Sequence, residues 1–405
     1  MKYPDYVKNC IDMLEASGYS AYAVGGAVRD ELLGKEPSDW DVTTSARPEE
    51  TLEVFKNFRT VPTGIKHGTI TVLSSWDGVN FPIEITTFRV DGEYRDSRHP
   101  ESVEFSKDVT DDLSRRDFTV NAMAFNEKMG IIDDFGGQND LQNRIIRAVG
   151  DPEKRFSEDA LRILRAFRFS AQLEFEIEEK TFLGAKKCAP LLKNIARERV
   201  GVEFKKLLSS SGVVYALEKM LESGIWQQIF DTPAPSVQEI LKLSCLENGN
   251  FATRLCALIV EYTDEEKESI LTSLRLSNAE KKLVLRLCTI KNFSISENQN
   301  KFSASARHFL HLYGNIYDDA VQMLQYFFKD KQIEEFLPIL NEEKQKNNPL
   351  TVAELQIRGG EILPLCNGDY SKVGKTLEIL LERVLENPEL NKKETLMDIA
   401  KKELE

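Results

Sequence analysis

The sequence is poor in the residues that build metal cages and covalent cross-links. It has four histidines and six cysteines in 405 residues. Cys10, Cys188, Cys245, Cys256, Cys288 and Cys366 are scattered singly, with no C-x-x-C pair, so neither a zinc site nor a disulfide framework is indicated. They read as small apolar residues in a reducing compartment. His308 and His311 stand one helical turn apart with no acidic neighbour in sequence, as helix-surface or core histidines do. No apolar run approaches the ~20 residues needed to span a bilayer. The N-terminus, Met1-Lys2-Tyr3-Pro4-Asp5, lacks the uninterrupted apolar stretch of a signal peptide. The chain therefore reads as cytoplasmic, with no membrane partner and no obligate protein partner evident. A surplus of positive charge is missing too. The net charge of −13 argues against nonspecific nucleic-acid binding, while leaving room for a local basic track. There is no fixed-period repeat and no low-complexity tract.

What remains is an ordinary globular composition, 41% hydrophobic, on a chain long enough for roughly two to four domains. Residues 5–17 have apolar positions at helical spacing (Tyr6, Cys10, Met13, Leu14) and stop at Gly18. Strand-like segments follow at Ser20–Val24, Trp40–Thr43, Thr69–Leu73 and Phe81–Thr87, with helices expected at Val28–Leu33 and Pro48–Phe55. This small α+β unit ends near Gly136-Gly137. After Asp140 the period changes to helical: Ser157–Gln172, Glu178–Lys193, Arg197–Leu208 and Gly212–Gly224, and onward to the C-terminus. Pro349 and Gly359-Gly360 punctuate the last third.

The most informative feature is Ser38-Asp39-Trp40-Asp41-Val42, downstream of Ala23-Val24-Gly25-Gly26-Ala27-Val28-Arg29-Asp30. On a strand, Asp39 and Asp41 project side by side while Trp40 packs behind. Adjacent carboxylates repel unless a cation joins them, and oxygen-only ligands suit Mg²⁺. A glycine pair between a strand and a helix lets backbone N–H groups approach a phosphate. Together these imply metal-dependent nucleotidyl transfer. Alone, a D-x-D is common and also fits solvated acids at a strand end. Glu84, isolated among apolar strand residues in Pro82-Ile83-Glu84-Ile85, is the candidate third acid.

Three further segments carry chemistry. In Asp111-Asp112-Leu113-Ser114-Arg115-Arg116-Asp117-Phe118-Thr119-Val120-Asn121, the arginines suit phosphates, Asp117 a ribose hydroxyl, and Asn121 sugar or phosphate. By itself this segment also fits a surface salt-bridge cluster. In Ser157-Glu158-Asp159-Ala160-Leu161-Arg162-Ile163-Leu164-Arg165, read as one helix, acceptors stand beside donors and can imitate a base-pairing edge. The plainer reading is i,i+4 salt bridging on a wet face. The polar segment 88–100 reads as a long loop near Glu84. Lys186, Lys187, Lys205, Lys206, Lys372 and Lys375 can track an RNA backbone, although single helix lysines are usually just solvated.

In order and spacing, Gly25-Gly26 with Arg29-Asp30, Asp39-x-Asp41, Arg115-Arg116-Asp117-Phe118-Thr119-x-Asn121 and Glu158-Asp159-x-x-Arg162 resemble the class II tRNA nucleotidyltransferase and bacterial poly(A) polymerase family. The resemblance is strong over the first ~210 residues, by the agreement of four motifs. Weaker likeness continues through Leu350–Leu355, Gly359-Gly360 and Val373-Gly374-Lys375. It implies an α+β, polymerase beta-like head (1–138) followed by an elongated all-helical neck (139–210), body (211–290) and tail (291–405). It further implies two Mg²⁺ ions at Asp39 and Asp41 with Glu84 assisting, and CTP and ATP as substrates. Nucleotide contacts are implied for Gly25, Gly26, Arg29, Arg115, Arg116, Asp117, Asn121, Glu158, Asp159, Arg162 and Arg165, with tRNA as partner. Arg197-Glu198-Arg199 looks like the family segment that buttresses the selecting helix. Within the family, the loop at 89–100 disfavours CC-only addition, the acidic C-terminus disfavours poly(A) synthesis, and the scarcity of histidine disfavours an appended phosphohydrolase domain. The resemblance therefore implies CCA addition, with A-only addition beside a separate CC-adding enzyme as the alternative. The reading from another class is a noncatalytic tRNA-binding protein.

Overall fold

The structure, a computed structural model, describes residues 1–76, 78–92, 103–328 and 331–404. The chain forms two compact units, one of residues 1–244 with 261–276, the other of 245–260 with 277–405. The first opens with helix α1 (Asp5–Ala16), whose buried stripe is Val7, Cys10, Ile11 and Leu14. That stripe is rotated from the expected one: Tyr6 sits at its rim, stacked on Phe81 at 4.1 Å.

The sheet of this unit comprises β1 (Ala21–Val24), β2 (Asp41–Thr44), β3 (Arg59–Gly64), β4 (Thr69–Trp76), β5 (Val79–Thr87), β8 (Ala124–Asn126) and β9 (Gly130–Ile132). Its order is β3-β4-β5-β2-β1-β8-β9. Only β2 and β5 run parallel, and the other pairs are antiparallel. Strand β1 is buried on both faces, the position that a continuous apolar run requires. β3, β8 and β9 were not foreseen. Trp40 is buried as expected, edge-on to Tyr3 at 6.4 Å. Two short strands, β6 (Arg89–Asp91) and β7 (Val103–Phe105), pair antiparallel at the ends of the expected long loop. Positions 93–100 of that loop lie outside the described residues.

Around the sheet lie α2 (Gly26–Leu32), α3 (Pro48–Val54), α4 (Val109–Ser114) and α5 (Gly137–Asn143). Next come α6 (Pro152–Glu158), α7 (Leu161–Leu173), α8 (Glu179–Cys188), α9 (Arg197–Leu208) and α10 (Val213–Ser223). Two-residue strands β10 (Ile145–Ile146) and β11 (Glu176–Ile177) pair in parallel between them. The single helix expected at 157–172 is in fact two. Asp159 is extended (φ −139°, ψ 102°) and its carboxylate accepts a hydrogen bond from the Leu161 amide at 3.1 Å. A short acidic side chain that satisfies an exposed N–H in this way starts a helix rather than continuing one.

The second unit is helical. Its core gathers Leu355, Ile357, Leu380, Leu381, Val384, Leu385 and Leu396. Arg307 is buried, pairs with Glu343 at 3.0 Å and donates to the carbonyls of Leu385 and Glu386. The guanidinium thereby satisfies orphan carbonyls at the end of the Tyr370–Glu386 helix. His308 has an acidic neighbour after all, Glu382 at 3.4 Å, supplied by a distant segment. Five of the six cysteines are buried. Among the described residues, no helix is long and apolar enough to cross a membrane.

Gly201 of α9 packs directly on backbone: an added Cβ would overlap the Leu274 carbonyl. Gly374, exposed within the Tyr370–Glu386 helix, has open space around it. Gly201→Ala should therefore destabilise by about 1–3 kcal/mol through overpacking, while Gly374→Ala should stabilise by roughly 0.5–1 kcal/mol through helix propensity. Urea unfolding of both variants checks the opposite signs.

Candidate active site

Strand register gathers distant parts of the sequence at one end of the sheet. Val24, the last residue of β1, pairs with Asp41, the first of β2, and Asp41 pairs with Glu84 of β5. Gly25 follows β1 at φ +77°, ψ −132°, a conformation that side chains resist. A Cβ at Gly25 would lie 2.9 Å from an Arg116 Nη. Glycine is thus demanded twice, by the turn and by the guanidinium that fills the space.

Arg116 is aimed by an acid that the sequence reading passed over. Asp112 of α4 is fully buried and pairs with Arg115 at 2.6 Å and Arg116 at 3.1 Å. Thr43 of β2 also donates to it, at 3.3 Å. Burial alone would raise the Asp112 carboxyl, but the two guanidiniums outweigh it and hold the group below the usual carboxylate range. An acid three and four positions before two arginines on a helix was the available signal.

A cavity of about 880 Å³ opens at this end of the sheet. The sheet side supplies Gly25, Gly26, Asp39, Asp41 and Arg116, and helices α7 and α9 supply Arg165, Arg168, Phe169, Lys205 and Lys206. Asp41 is reachable by water yet ringed by protein. That withdrawal from bulk water, with Glu84 and Asp39 adding to it and Arg116 opposing it, pushes its carboxyl up to about 6. Glu84 thus acts on Asp41 electrostatically, but it is not in the cavity lining.

A charged network runs through the cavity wall. Arg29 is buried, chelates Asp30 (2.8 and 3.0 Å) and donates to Asn121 at 2.6 Å. Asn121 donates to Asp117, which also accepts from Arg165 at 2.7 Å. Glu203 of α9 pairs with Arg168 at 2.6 Å. The guanidiniums of Arg29, Arg165 and Arg168 lie 5.3, 5.1 and 3.8 Å from the centre of the Phe169 ring, a face that attracts cations. Arg168, Phe169, Gln172 and Glu203 were missed in the sequence, because nothing local marks a helix face that turns toward another element.

The Glu158-Asp159-x-x-Arg162 patch is placed differently from the expectation of one open helical edge. Arg162 is held by Glu158 at 2.7 Å and by the carbonyls of Arg155 (3.1 Å) and Arg115 (2.9 Å). Asp159 pairs with Arg199 at 2.9 Å. None of the three is in the cavity lining. Of the lysines, Lys205 and Lys206 share the cavity. Lys186 and Lys187 end α8, and Lys372 and Lys375 are exposed in the second unit.

Comparison with known proteins covers nearly the whole chain. Residues 21–147 match the poly A polymerase head domain, and residues 174–240 match the family described as probable RNA and SrmB-binding site of polymerase A. The CCA-adding enzyme of Ligilactobacillus salivarius (strain UCC118) is 36% identical, with 99% of this chain and 98% of that protein aligned. The chain belongs to the CCA-adding enzyme family. The family's member from Enterococcus faecalis (strain ATCC 700802 / V583) is 35% identical over 96% of this chain and 94% of its own length. Among solved structures, the CCA-adding enzyme of Bacillus stearothermophilus in complex with CTP superposes with a TM-score of 0.80, covering 100% of this chain and 98% of that one at 29% identity. The Thermotoga maritima CCA-adding enzyme complexed with tRNA shares the fold, with a TM-score of 0.68 at 23% identity, covering 100% of this chain and 97% of that one.

Asp117 gives this site a measurable pH signature. Burial would raise its carboxyl, but Arg165, Asn121 and Arg162 reverse that and hold it at about 2, against about 3.9 when unfolded. A depressed carboxyl contributes stability that is fully present above the unfolded value and is lost as pH falls through the folded one. The stability gap between wild type and Asp117→Asn should therefore narrow by about 2 kcal/mol from pH 5 to pH 2. A gap that is constant with pH would show that Asp117 is not held ionised by its neighbours.

Proposed function

We propose that this cavity is the catalytic centre through which the chain adds the 3′-terminal CCA to tRNA, with CTP and ATP as substrates. The observation that supports it most is the meeting of Asp39 and Asp41 with Arg116 at Gly25, beside the point where the strand register aligns Val24, Asp41 and Glu84. The alignment along nearly the full length of a CCA-adding enzyme assigns the overall reaction.

The donor set fits magnesium. Of the four carboxylates that line the cavity, Asp30 and Asp117 are paired with Arg29 and Arg165, which leaves Asp39 and Asp41, and among the described residues no three acidic, histidine or cysteine side chains form a closed cage. Mg²⁺ characteristically binds through one or two carboxylates, completing its shell with water and substrate phosphates. Burial is the main upward push on the Asp41 carboxyl, and the smaller part that Glu84 and Asp39 add to it is like-charge repulsion that a bound cation relieves. Asp39 and Asp41 would hold the two ions, with Glu84 reinforcing the negative field. When bound, the ions lower the pKa of an attacking hydroxyl and stabilise a departing pyrophosphate.

In the reaction, the RNA 3′-hydroxyl attacks the α-phosphate, a new P–O bond forms, the α–β bridge breaks and pyrophosphate leaves. The chain contributes positioning and charge. Arg116, fixed by Asp112, presents its guanidinium beside Gly25 to the triphosphate. Arg29, Asn121, Asp117 and Arg165 form one connected network, so a sugar or phosphate seated on it meets donors already oriented. Asp159 and Arg162, held by Arg199, Glu158 and the Arg115 carbonyl, serve as a preset edge for base selection. Lys186, Lys187, Lys372 and Lys375 track the tRNA backbone, and the head, neck, body and tail divide near residues 138, 210 and 290.

Asp41→Asn and Asp39→Asn should each lower nucleotide incorporation by at least about 10³-fold, the several kcal/mol a metal clamp supplies, while tRNA retention in a filter assay persists. Retained activity would remove the assignment. Arg162→Ala should chiefly raise misincorporation of UTP and GTP relative to CTP and ATP. A transcript ending before CCA should gain two cytidines with CTP alone and the full triplet with both nucleotides. Failure to add cytidine would favour the A-adding alternative.

A further inference from the structure

The cavity has two walls of different origin. The sheet wall holds the carboxylates and Arg116, while the helical wall comes from the ends of α7 and α9, with Arg168, Gln172, Lys205, Lys206 and the turn Ser209–Ser211. The reaction brings two phosphate-bearing substrates to one place, a nucleoside triphosphate and an RNA 3′ end. The cations lining the cavity can be sorted by what already neutralises them. Arg29 is paired with Asp30, Arg116 with Asp112, Arg165 with Asp117 and Arg168 with Glu203. Lys206 has no carboxylate partner among the described residues. It is exposed on the last turn of α9 and lines the cavity.

Placement near a helix C-terminus is by itself favourable for a lysine through the macrodipole. That accounts for a cation in this turn, but not for its opening into the same cavity as Asp39 and Asp41, beside Gln172 and three consecutive serines. The Ser210 hydroxyl folds back onto the Lys206 carbonyl at 2.7 Å and the Ser209 hydroxyl onto that of Lys205 at 2.9 Å. The turn after α9 is thereby closed against its own helix, and Lys206 lines the cavity beside it.

We propose that Lys206, with Gln172 and the Ser209–Ser211 turn, forms a subsite for the RNA strand, holding a backbone phosphate next to the reactive 3′ end. This rests on the catalytic reading of Asp39 and Asp41. A 3′-hydroxyl arriving at those carboxylates brings the phosphodiester of its own terminal nucleotide into the cavity with it. A lysine is suited to that contact as a point charge that tolerates any base. Lys206 is thus a positioning residue that acts inside the catalytic cavity, distinct from lysines that hold the body of a tRNA from outside.

The test measures Lys206→Ala on two RNAs, a full tRNA transcript and a hairpin carrying only the acceptor stem, each ending before CCA. The expected result is a rise in KM for both RNAs of about 3–10-fold, with KM for CTP unchanged and the log–log salt slope of RNA binding reduced by about 1. Lys206→Arg should restore most of the loss, and Lys180→Ala, the same charge change on an exposed residue of α8 away from the cavity, should change nothing. A loss seen with full tRNA but not with the hairpin places the contact outside the cavity and overturns the proposal. A rise in KM for CTP with none for RNA assigns Lys206 to the triphosphate and overturns it too. Unchanged kinetics for Lys206→Ala, with Asp41→Asn inactive, would reject this subsite and leave the catalytic reading standing. An active Asp41→Asn would reject the catalytic reading itself.

Discussion

The pairing of β1, β2 and β5 fixes everything around the cavity. Val24, Asp41 and Glu84 are aligned across three strands, so the end of an apolar strand, the start of an acidic one and the middle of a third meet at one point. Strand β2 is buried at Val42, Thr43 and Thr44 and exposed only at Asp41, so a slip by one residue that carried Asp41 into the interior would bury a carboxylate. The burial of the rest of β2 therefore protects the chemistry at its end. Gly25 can only sit where it does because β1 stops there, and Arg116 can only reach it because Asp112 anchors α4 against Thr43 of the same strand β2.

A second theme is how an acidic protein makes a cavity for anions. The net charge of −13 offers no general attraction for nucleic acid. Instead, arginines are gathered locally and each is held by a specific acid: Arg29 by Asp30, Arg115 and Arg116 by Asp112, Arg165 by Asp117, Arg168 by Glu203. Paired guanidiniums still donate hydrogen bonds in fixed directions, while their net charge is tempered. Such an arrangement favours a ligand that matches the geometry over one that is merely negative. Burial of these pairs is costly unless their geometry is good, and the distances of 2.6–3.1 Å at Asp112 and Asp117 meet that condition, while the Arg168–Glu203 pair at 2.6 Å is close without being aligned as a hydrogen bond.

Much of this was legible in the sequence where the information is local. A Gly-Gly before a helix, the Trp40 that packs behind, and α9 at Arg197–Leu208 depend on neighbouring residues and could be read directly, whereas the D-x-D expected on a strand is split, since β2 begins at Asp41 and Asp39 precedes it. What depended on tertiary contact was not. Strands β8 and β9, three residues each, are too short for a periodic signal, and the six residues of β3 (Arg59–Gly64) include Pro62 and Gly64 and show no apolar alternation. The break at Asp159 turned on one side-chain hydrogen bond overriding a helical pattern. Asp112 lies in a segment that also fitted a surface salt-bridge cluster, and nothing local marks Glu203; both are interior anchors because arginines from their own or a neighbouring helix pair with them. Lys205 and Lys206 looked like tRNA-tracking lysines and were found sharing a cavity with the carboxylates, since which face of α9 meets the sheet end is set by packing on α7.

The central claim is that Asp39 and Asp41 hold divalent ions beside a nucleotide gripped at Gly25 and Arg116. Crystals grown with CTP and Mn²⁺, measured for anomalous scattering, test it most directly. The account predicts metal density between the Asp39 and Asp41 carboxylates, with the triphosphate reaching Arg116. Ordered CTP in the cavity with the metal absent from those two side chains, or with its triphosphate away from Arg116, would contradict it.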